Sequence, residues 1–544
     1  MTETETATRI FRAGRVISMR GEAAEAFAVG AGRVLSLGTA ADLRDRYGGA
    51  EVVDLGAGVV VPGFNDAHMH LVVAAEDLLH LDLSSDSVRS LAELKSKVRA
   101  EAAAASPGSW IRGSRYDDGK MAEARILTRW DLDEVAPDHP VLVTHVAFHW
   151  AVANSRALAL GGIDEQTAPP AGGAYGRDAS GHLNGILYEQ ALFDFANPSL
   201  TSSGRTVVPS NTLDEKLDGL CRATRMFHAA GLTSVCDALV GPDDLALLRE
   251  AERRGLLTLR VNVLVVADRY DELRGLVNDW PGGEFLRFCG VKTFVDGAIG
   301  GRTCLLEQPF EGTTDDYGIQ TRSTAYLRDA VRLVNGDGVR LCVHANGDRA
   351  INLILDLMEE WRASAPATAP APRNRIEHCT IVTEDILRRM KRLDAVAVPF
   401  GSYVHYHGGK LGDWYGPERL KRMFAHRWFL DAGVGVAGSS DFPCGPYQPL
   451  LALQSCVSRR GWDGLTLGEN QRVSAAEALA LYTTLAAAAT GESDRKGALA
   501  PGMVADFTVL GGDPLTVAPD ALGGIPVLAT YVGGRQVYAA DSVT

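Results

Sequence analysis

Two histidines separated by one residue follow an apolar stretch early in the chain. His68 and His70 come shortly after the run Val59–Phe64. In an extended segment residues i and i+2 point the same way, so both imidazoles can converge on one divalent ion. By itself a His-x-His pair is weak evidence, because two polar residues at the end of a strand are an equally good interpretation.

Further candidate ligands lie in or directly after other apolar stretches. Lys292 lies within such a stretch, His344 and His378 lie at or after the ends of two more, and Asp441 closely follows a fourth. In a barrel of parallel strands the carboxyl ends share one rim, where enzymes of this fold place their active sites. A lone histidine is better explained by a structural role, but a set of six residues on one rim predicts a metal site.

Apolar runs of strand length alternate with helix-length segments, which is typical of βα units and a parallel sheet. Eight such runs predict an α/β fold, a (β/α)8 TIM-like barrel. The interval from residue 65 to 231 is too long for one βα unit and predicts an insertion after the first barrel strand. The eight runs are Val59–Phe64, Leu232–Cys236, Leu259–Val266, Gly290–Val295, Val339–Val343, Arg375–His378, Ala395–Pro399 and Val434–Ala437.

Both ends of the chain consist of short strand patterns separated by glycine turns, such as Gly30-Ala31-Gly32 and Gly533-Gly534. This similarity predicts one small β-sandwich domain built from both termini. The expected division is residues 1–62 for the first part of that domain, 63–80 for the first barrel strand with its metal motif, 81–215 for the inserted subdomain, 216–494 for the rest of the barrel, and 495–544 for the second part of the small domain.

The charge and composition exclude several classes of protein. The chain has 54 Lys and Arg against 68 Asp and Glu, a net charge of −14, which disfavours binding to nucleic acid or to an anionic membrane. The N-terminal residues contain no apolar stretch of signal-peptide length. The eight cysteines are sparse and form no Cys-x-x-Cys pair, which is typical of reduced thiols. We therefore expect a cytoplasmic protein.

The segments around the candidate ligands resemble the metal-binding signatures of the amidohydrolase superfamily. Within it they are similar to the amidohydrolase-3 branch, which includes N-substituted formamide deformylases. The resemblance covers nearly the whole chain and implies a metal-dependent hydrolase with a barrel fold. The matching segments are Val61–His70, Val291–Gly297, Val343–Asp348, Arg375–Cys379 and Gly438–Asp441.

The resemblance also implies a role for each ligand. His68 and His70 would hold the more buried ion, and His344 and His378 the more exposed one. Lys292 would bridge them as a carbamate formed with CO₂; an unmodified lysine beside a single ion is the alternative. Asp441 would be the catalytic residue, binding the first ion and moving protons. Four imidazoles, a carboxylate and a carbamate suit two Zn²⁺ ions, although other divalent metals would fit the same set.

Four residues are expected to contact the substrate: His149 and Glu189 through the resemblance, Trp110 through the same similarity, and Arg302 because it follows the strand that carries Lys292. Packing is the alternative role for Trp110, and a surface ion pair for Arg302. The chain departs from the branch before His149, where it has Ala147-Phe148 and many relatives have Asp-Gly. This departure leaves the substrate open.

The leading functional prediction is hydrolysis of a carbon–nitrogen bond other than a peptide bond, in an N-substituted formamide or related acyclic amide, by metal-activated hydroxide. Opening of a cyclic amide or imide, and deamination, are alternatives, because one metal centre can serve all three reactions. A non-catalytic regulatory protein is a further alternative, which the intact set of six ligands disfavours. A small-molecule amide is the expected partner, and a homodimer the working expectation for assembly.

Overall fold

A computed structural model describes residues 7–21, 23–123, 125–201, 203, 205–278, 280, 282–366 and 368–540. Three sheets and the helices around them make up this part of the chain. None of its helices combines the length and the apolar character needed to cross a bilayer.

Strands from both ends of the chain pair in one eight-stranded sheet, in the order β22-β21-β20-β5-β1-β2-β3 with β4 beside β1. Aromatic rings of Phe11, Phe27, Phe507 and Tyr531 pack together on it. The termini thus share a sheet as expected, while its arrangement as a sandwich stays a prediction. Numbered along the chain, its strands are β1 Arg9–Ile17, β2 Ala23–Gly30, β3 Arg33–Gly38, β4 Glu51–Asp54, β5 Val59–Pro62, β20 Phe507–Leu510, β21 Val527–Val532 and β22 Arg535–Ala539.

The central sheet contains eight parallel strands in the order β19-β18-β17-β16-β15-β14-β13-β6. The Ala67 amide donates to the Gly438 carbonyl at 3.3 Å, which connects the first strand to the segment after the last. This arrangement is consistent with a TIM-like barrel. Its strands are β6 Phe64–Met69, β13 Leu232–Val240, β14 Arg260–Val266, β15 Leu286–Phe294, β16 Leu341–Ala345, β17 Arg375–His378, β18 Val396–Val398 and β19 Gly435–Val436.

The first predicted barrel run, Val59–Phe64, is wrong as a single strand, because it spans parts of two sheets. Val59–Pro62 pairs with β1 and β20 in the terminal sheet, and the first central strand begins only at Phe64. Gly63 separates the two strands, and a Cβ atom there would overlap the Thr233 side chain. The reason for the error is that two consecutive buried strands read as one apolar run.

A third sheet, of six strands, falls in the segment between β6 and β13, in the order β11-β12-β10-β9-β8-β7. A separate cluster of buried apolar side chains, including Leu94, Tyr116 and Val143, packs against this sheet. Its strands are β7 Leu81–Asp82, β8 Ile111–Tyr116, β9 Val141–His145, β10 Trp150–Ala153, β11 Gly173–Arg177 and β12 Leu183–Glu189.

Most of the longer helices follow the central strands and cover their sheet with a large cluster of buried aliphatic side chains. Such packing places the carboxyl ends of the parallel strands together at one rim. The helices are α1 Ala40–Arg46, α2 Leu71–Asp77, α3 Leu91–Ala104, α4 Arg129–Asp133, α5 Ser155–Leu160, α6 Gln190–Ala196, α7 Leu213–Ala229, α8 Pro242–Arg253, α9 Tyr270–Asn278, α10 Thr324–Gly336, α11 Asp348–Ser364, α12 Glu384–Leu393, α13 Tyr403–His407, α14 Lys410–Leu420, α15 His426–Ala432, α16 Pro449–Ser458, α17 Ala475–Leu481 and α18 Thr484–Ala489.

Candidate metal centre and its cavity

The structure brings the six predicted ligands together at the carboxyl ends of the central strands. Asp441 Oδ1 lies 3.1 Å from Nε2 of His70 and 3.3 Å from Nε2 of His68. The Nζ atom of Lys292, which lies on β15, is 3.4 Å from the same His68 nitrogen. These four side chains therefore form one compact group.

The two remaining histidines extend this group. The ring of His378 is centred 4.8 Å from that of His68, and the ring of His344 is centred 4.5 Å from that of His378. All six residues are buried, with at most 9% of any of them exposed. We call these six residues the rim cluster.

The ionisation of the rim cluster suits metal ligands. Burial lowers the pKa of His70 to about 4 and holds the pKa values of His344 and His378 well below the ordinary value, so these imidazoles are neutral at pH 7. Burial also lowers the pKa of Lys292. Burial would raise the pKa of Asp441, but the surrounding histidines outweigh it and keep the carboxylate ionised.

A buried ion pair orients His68. Glu377 accepts a hydrogen bond from Nδ1 of His68, and Nε and Nη2 of Arg375 each donate to the same carboxylate at 2.7 Å. Both partners are completely buried. Because Nδ1 of His68 carries the shared proton, Nε2 is left as a bare acceptor facing the cluster. Arg375 and Glu377 were not identified from the sequence, although two charges at i and i+2 in an apolar strand are a usable signal.

A second set of buried partners surrounds His344. Asn346 Nδ2 and the Gly297 carbonyl each lie 3.1 Å from Nε2 of His344. Asp296 accepts from the backbone amides of Leu305, Asn346 and Gly347, and burial raises its pKa to about 7. Asp296 and Asn346 lie within the matching segments, yet their roles depend on loop contacts that spacing does not predict.

Two residues of the rim cluster occupy strained backbone conformations. His378 has φ 68° and Asp441 has φ 54°, in the left-handed region that residues other than glycine seldom adopt. Such strain costs roughly 1–3 kcal/mol and persists only where surrounding contacts impose it. At these two positions the contacts direct the side chains into the cluster.

An open cavity of about 800 Å³ leads to the rim cluster, and we call it the rim cavity. Segments of the inserted sheet and the helices after β18 supply most of its walls. Phe400 stacks on His378 with ring centroids 4.3 Å apart, and Tyr403 stacks on Phe400 at 3.6 Å. The lining residues include Asp118, His145, Ala147, His149, His344, Phe400, Tyr403, His407, Trp414 and Asp441.

One of the four predicted substrate contacts, His149, lines this cavity, and a second, Glu189, pairs with His149 without itself being among the lining residues. Nδ1 of His149 lies 2.9 Å from Glu189, and its ring is centred 5.9 Å from that of His344. Burial lowers the pKa of His149, but the charge of Glu189 outweighs this effect and raises it. The pair therefore favours the protonated form of an imidazole beside the rim cluster.

The structure does not bring the other two predicted contacts to the rim cavity. Trp110 packs against Phe195 in the inserted region, with ring centroids 6.2 Å apart. The Arg302 guanidinium lies 5.4 Å from the ring of Phe310. Neither is among the residues that line the cavity, although Ile299 and Gly300, in the same loop as Arg302, are.

The arrangement of donor atoms fits a bound cation. One nitrogen each from His68 and His70 and one oxygen from Asp441 lie within 4.8 Å of one another. Two of these atoms, His68 Nε2 and Asp441 Oδ1, are acceptors facing each other at 3.3 Å. Within the described residues, Nδ1 of His378 is buried with no hydrogen-bond partner. A divalent ion would satisfy such a set of imidazole and carboxylate ligands.

A model of the amidohydrolase family matches residues 51–538. The chain belongs to this family. N-substituted formamide deformylase of Arthrobacter pascens is 32% identical over 534 residues, which cover 96% of each chain. This agreement extends through all three sheets of the amidohydrolase.

Two solved structures are similar to this amidohydrolase. A metal-dependent hydrolase of Pyrococcus horikoshii superposes with a TM-score of 0.75 at 26% identity, covering 94% of this chain and 99% of the other. A metal-dependent hydrolase of Pyrococcus furiosus gives a TM-score of 0.73 at 28% identity, covering 93% and 100%. The family and the cluster of candidate ligands together support a metal-dependent hydrolase.

Proposed function

We propose that this amidohydrolase cleaves the carbon–nitrogen bond of an N-substituted formamide or a related acyclic amide. The observation that carries the proposal is the rim cluster, in which four histidines, a lysine and an aspartate meet at the end of an open cavity. The 32% identity to a formamide deformylase supports the substrate class.

In this proposal His68, His70 and Asp441 hold one divalent ion, His344 and His378 hold a second, and Lys292 lies between the two pairs. Zinc suits these ligands best. Divalent ions in such a site make hydroxide available near neutral pH and polarise a substrate carbonyl.

Lys292 is the residue proposed to carry a carboxyl group. Its amine is buried, and burial lowers its pKa, which favours the neutral form that reacts with CO₂. A carbamate would change the residue from a cation into an anion with two oxygen ligands. The change removes the repulsion that a protonated lysine would exert on neighbouring cations.

Asp441 is proposed to move the protons of the reaction. Its ionised carboxylate can accept a proton from the attacking water and return it to the nitrogen of the leaving amine. This second transfer matters for amides, because an unprotonated amine is a poor leaving group. Tyr403 donates a 3.4 Å hydrogen bond to the other carboxylate oxygen, Oδ2, and so helps to hold Asp441 in place.

His149 is proposed to bind the oxygen of the substrate carbonyl. Glu189 favours the protonated imidazole, which can donate a hydrogen bond to an oxygen that gains negative charge during attack. Its place on the cavity wall near His344 supports this role. The proposal assigns no substrate contact to Trp110 or Arg302.

The test is a substrate panel assayed on purified protein whose metal content has been measured. We expect close to two divalent ions per chain and release of an amine and formate from N-substituted formamides, faster than from longer acyl amides. Preferred opening of cyclic imides, or release of ammonia from an amino-heterocycle, would overturn the substrate class while leaving the metal centre intact. A folded, metal-loaded protein that hydrolyses no member of the panel would overturn the proposed function.

A further inference from the structure

A second cavity of about 790 Å³ lies outside the rim cluster, between helix α2 and the inserted sheet. Its walls are mainly apolar, with Val73, Leu142, Leu192, Ala196 and Leu239 among the lining residues. The roles proposed above for the rim cluster use none of these residues. We call this space the second cavity.

The second cavity shares a wall with the rim cavity. Ala147 and His149 line the rim cavity, whereas Phe148 between them lines the second one. Phe148 has φ 61°, a conformation unusual for a bulky residue, and its ring packs among Val73 and neighbouring apolar residues. The strained backbone therefore places one aromatic ring between the two spaces.

A polar triad at one end of the second cavity consists of Asp77, His80 and Ser114. Nδ1 of His80 lies 3.0 Å from the Ser114 hydroxyl, and a hydrogen bond from Ser114 also stabilises the ionised Asp77. The hydroxyl has one proton, so when it donates to Asp77 it must accept from Nδ1–H of His80. That tautomer leaves Nε2 of His80 as an acceptor, and this atom is buried with no partner among the described residues.

The other charged groups of the second cavity already have partners. Glu76 pairs with Lys216 at 2.9 Å. Asp244 accepts from the Ser199 hydroxyl and from the Gly241 amide. The Arg112 guanidinium donates to the Pro209 carbonyl and to Asn211.

Two hydrogen-bond acceptors of the second cavity are thus available to a ligand, the Asp77 carboxylate and Nε2 of His80. Both side chains are nearly enclosed, with 11% and 14% exposed. Burial raises the pKa of Asp77 to about 7, which shows how poorly its charge is compensated. A ligand with several N–H donors and a positive charge would satisfy both acceptors at once.

We propose that the second cavity binds a small aliphatic primary amine, with its ammonium group on Asp77 and His80 and its alkyl chain along the apolar wall. A carboxylate ligand would face Asp77, Glu76 and Asp244 across the same cavity, and two donors of Arg112 are already directed at Pro209 and Asn211. A neutral alcohol has one donor and no charge to offer Asp77. The amine is therefore the ligand that the lining favours.

An amine is also a product of the amide hydrolysis proposed above. A role for the second cavity in the reaction therefore rests on the proposed function, whereas the binding of an amine to this cavity does not. The shared wall at Phe148 would allow the released amine to occupy a space next to the one in which it forms.

Isothermal titration of the full-length, metal-loaded protein with n-pentylamine at pH 7.5 tests the proposal, with 1-pentanol and pentanoate as neutral and anionic probes. We expect the amine to bind at least about tenfold more tightly than either, the difference that a charge-assisted hydrogen bond supplies. Asp77→Asn should weaken amine binding at least about tenfold, and Ala196→Phe, which fills the cavity, should abolish it. The matched control is Asp82→Asn, because Asp82 is a neighbouring carboxylate that pairs with Arg115 and does not line the cavity.

Binding that survives both Asp77→Asn and Ala196→Phe would place the amine elsewhere, in the rim cavity for example, and would overturn the inference. Equal affinity for pentanol, or no heat of binding with folded wild-type protein, would overturn it as well. The titration measures no turnover, so a failure of the substrate panel and a failure of amine binding remain distinguishable.

Discussion

Two buried carboxylates near opposite ends of helix α2 ionise very differently. Asp441 contacts His70, the residue before this helix, and its pKa is held well below the ordinary value. Asp77 is the last residue of the helix, and burial raises its pKa to about 7. Burial by itself would raise the pKa of both carboxyl groups. At Asp441 the contacts with His378, His68 and His70 outweigh burial, whereas at Asp77 the hydrogen bond from Ser114 and the charge of Arg115 do not.

The rim cluster and the second cavity therefore suit different ligands. The rim cluster holds several acceptors close together, oriented by a buried ion pair beside His68 and by buried hydrogen bonds around His344, an arrangement suited to metal ions. The second cavity holds two acceptors at the end of an apolar wall, an arrangement suited to an ammonium group. Substitutions in the rim cluster should therefore impair metal binding or catalysis, whereas substitutions in the second cavity should impair amine binding.

The largest expected effect is at Asp441. Asp441→Asn keeps the side-chain shape but removes the group proposed to move protons, so kcat/KM for amides should fall at least about a hundredfold. Steady-state kinetics with metal analysis checks this, and Asp394→Asn, at a surface carboxylate paired with Arg373, serves as the control. Near wild-type turnover of amides with metal bound would place the proton transfer elsewhere, with Glu189 or His149 next to test.

Glu377→Gln should weaken metal binding about 10–100-fold, the usual effect of losing a partner that orients a ligand. The variant leaves Arg375 as a buried charge without its carboxylate, so the melting temperature should fall too. Metal titration and thermal unfolding measure the two effects. Unchanged metal affinity would show that Glu377 does not orient His68.

Lys292→Ala should lower activity about tenfold or more, and added short carboxylic acids should restore part of it by occupying the position of the proposed carbamate. The measurement is activity against acetate or propionate concentration, with chloride at equal ionic strength as control. A variant with full activity and full metal content would contradict the bridging role.

The smallest expected effect is at Asp77. Its folded pKa of about 7 lies above the value of 3.8 for an unperturbed carboxyl, so the folded state holds this proton more tightly and loses stability as pH rises through 7. Asn cannot ionise, so the melting temperature of Asp77→Asn relative to wild type should rise by about 2 °C between pH 5 and pH 8. Asp82→Asn should show no such rise, and equal shifts in both variants would argue against a buried, ionising Asp77.

Seven of the eight predicted barrel runs lie largely on central strands, because buried parallel strands leave uninterrupted apolar stretches that local patterns reveal, whereas the first run shares only Phe64 with one. The first run was different. Val59–Pro62 and Phe64–Met69 are both buried strands, and only their pairing, with β1 in one case and β13 in the other, assigns them to separate sheets. Pairing is a long-range property that a local pattern does not contain.

The sequence by itself determined which six side chains form the rim cluster, because parallel strands bring their carboxyl ends to one rim whatever the loops between them do. Only the tertiary structure decided which residues surround that cluster. The hydrogen bond from His68 to Glu377, the wall at Phe148 and the triad of Asp77, His80 and Ser114 join segments that are distant in sequence or belong to irregular loops. Periodicity reports which face of a strand or helix is buried, whereas such contacts depend on how separate elements pack, and that is fixed only when the whole chain folds.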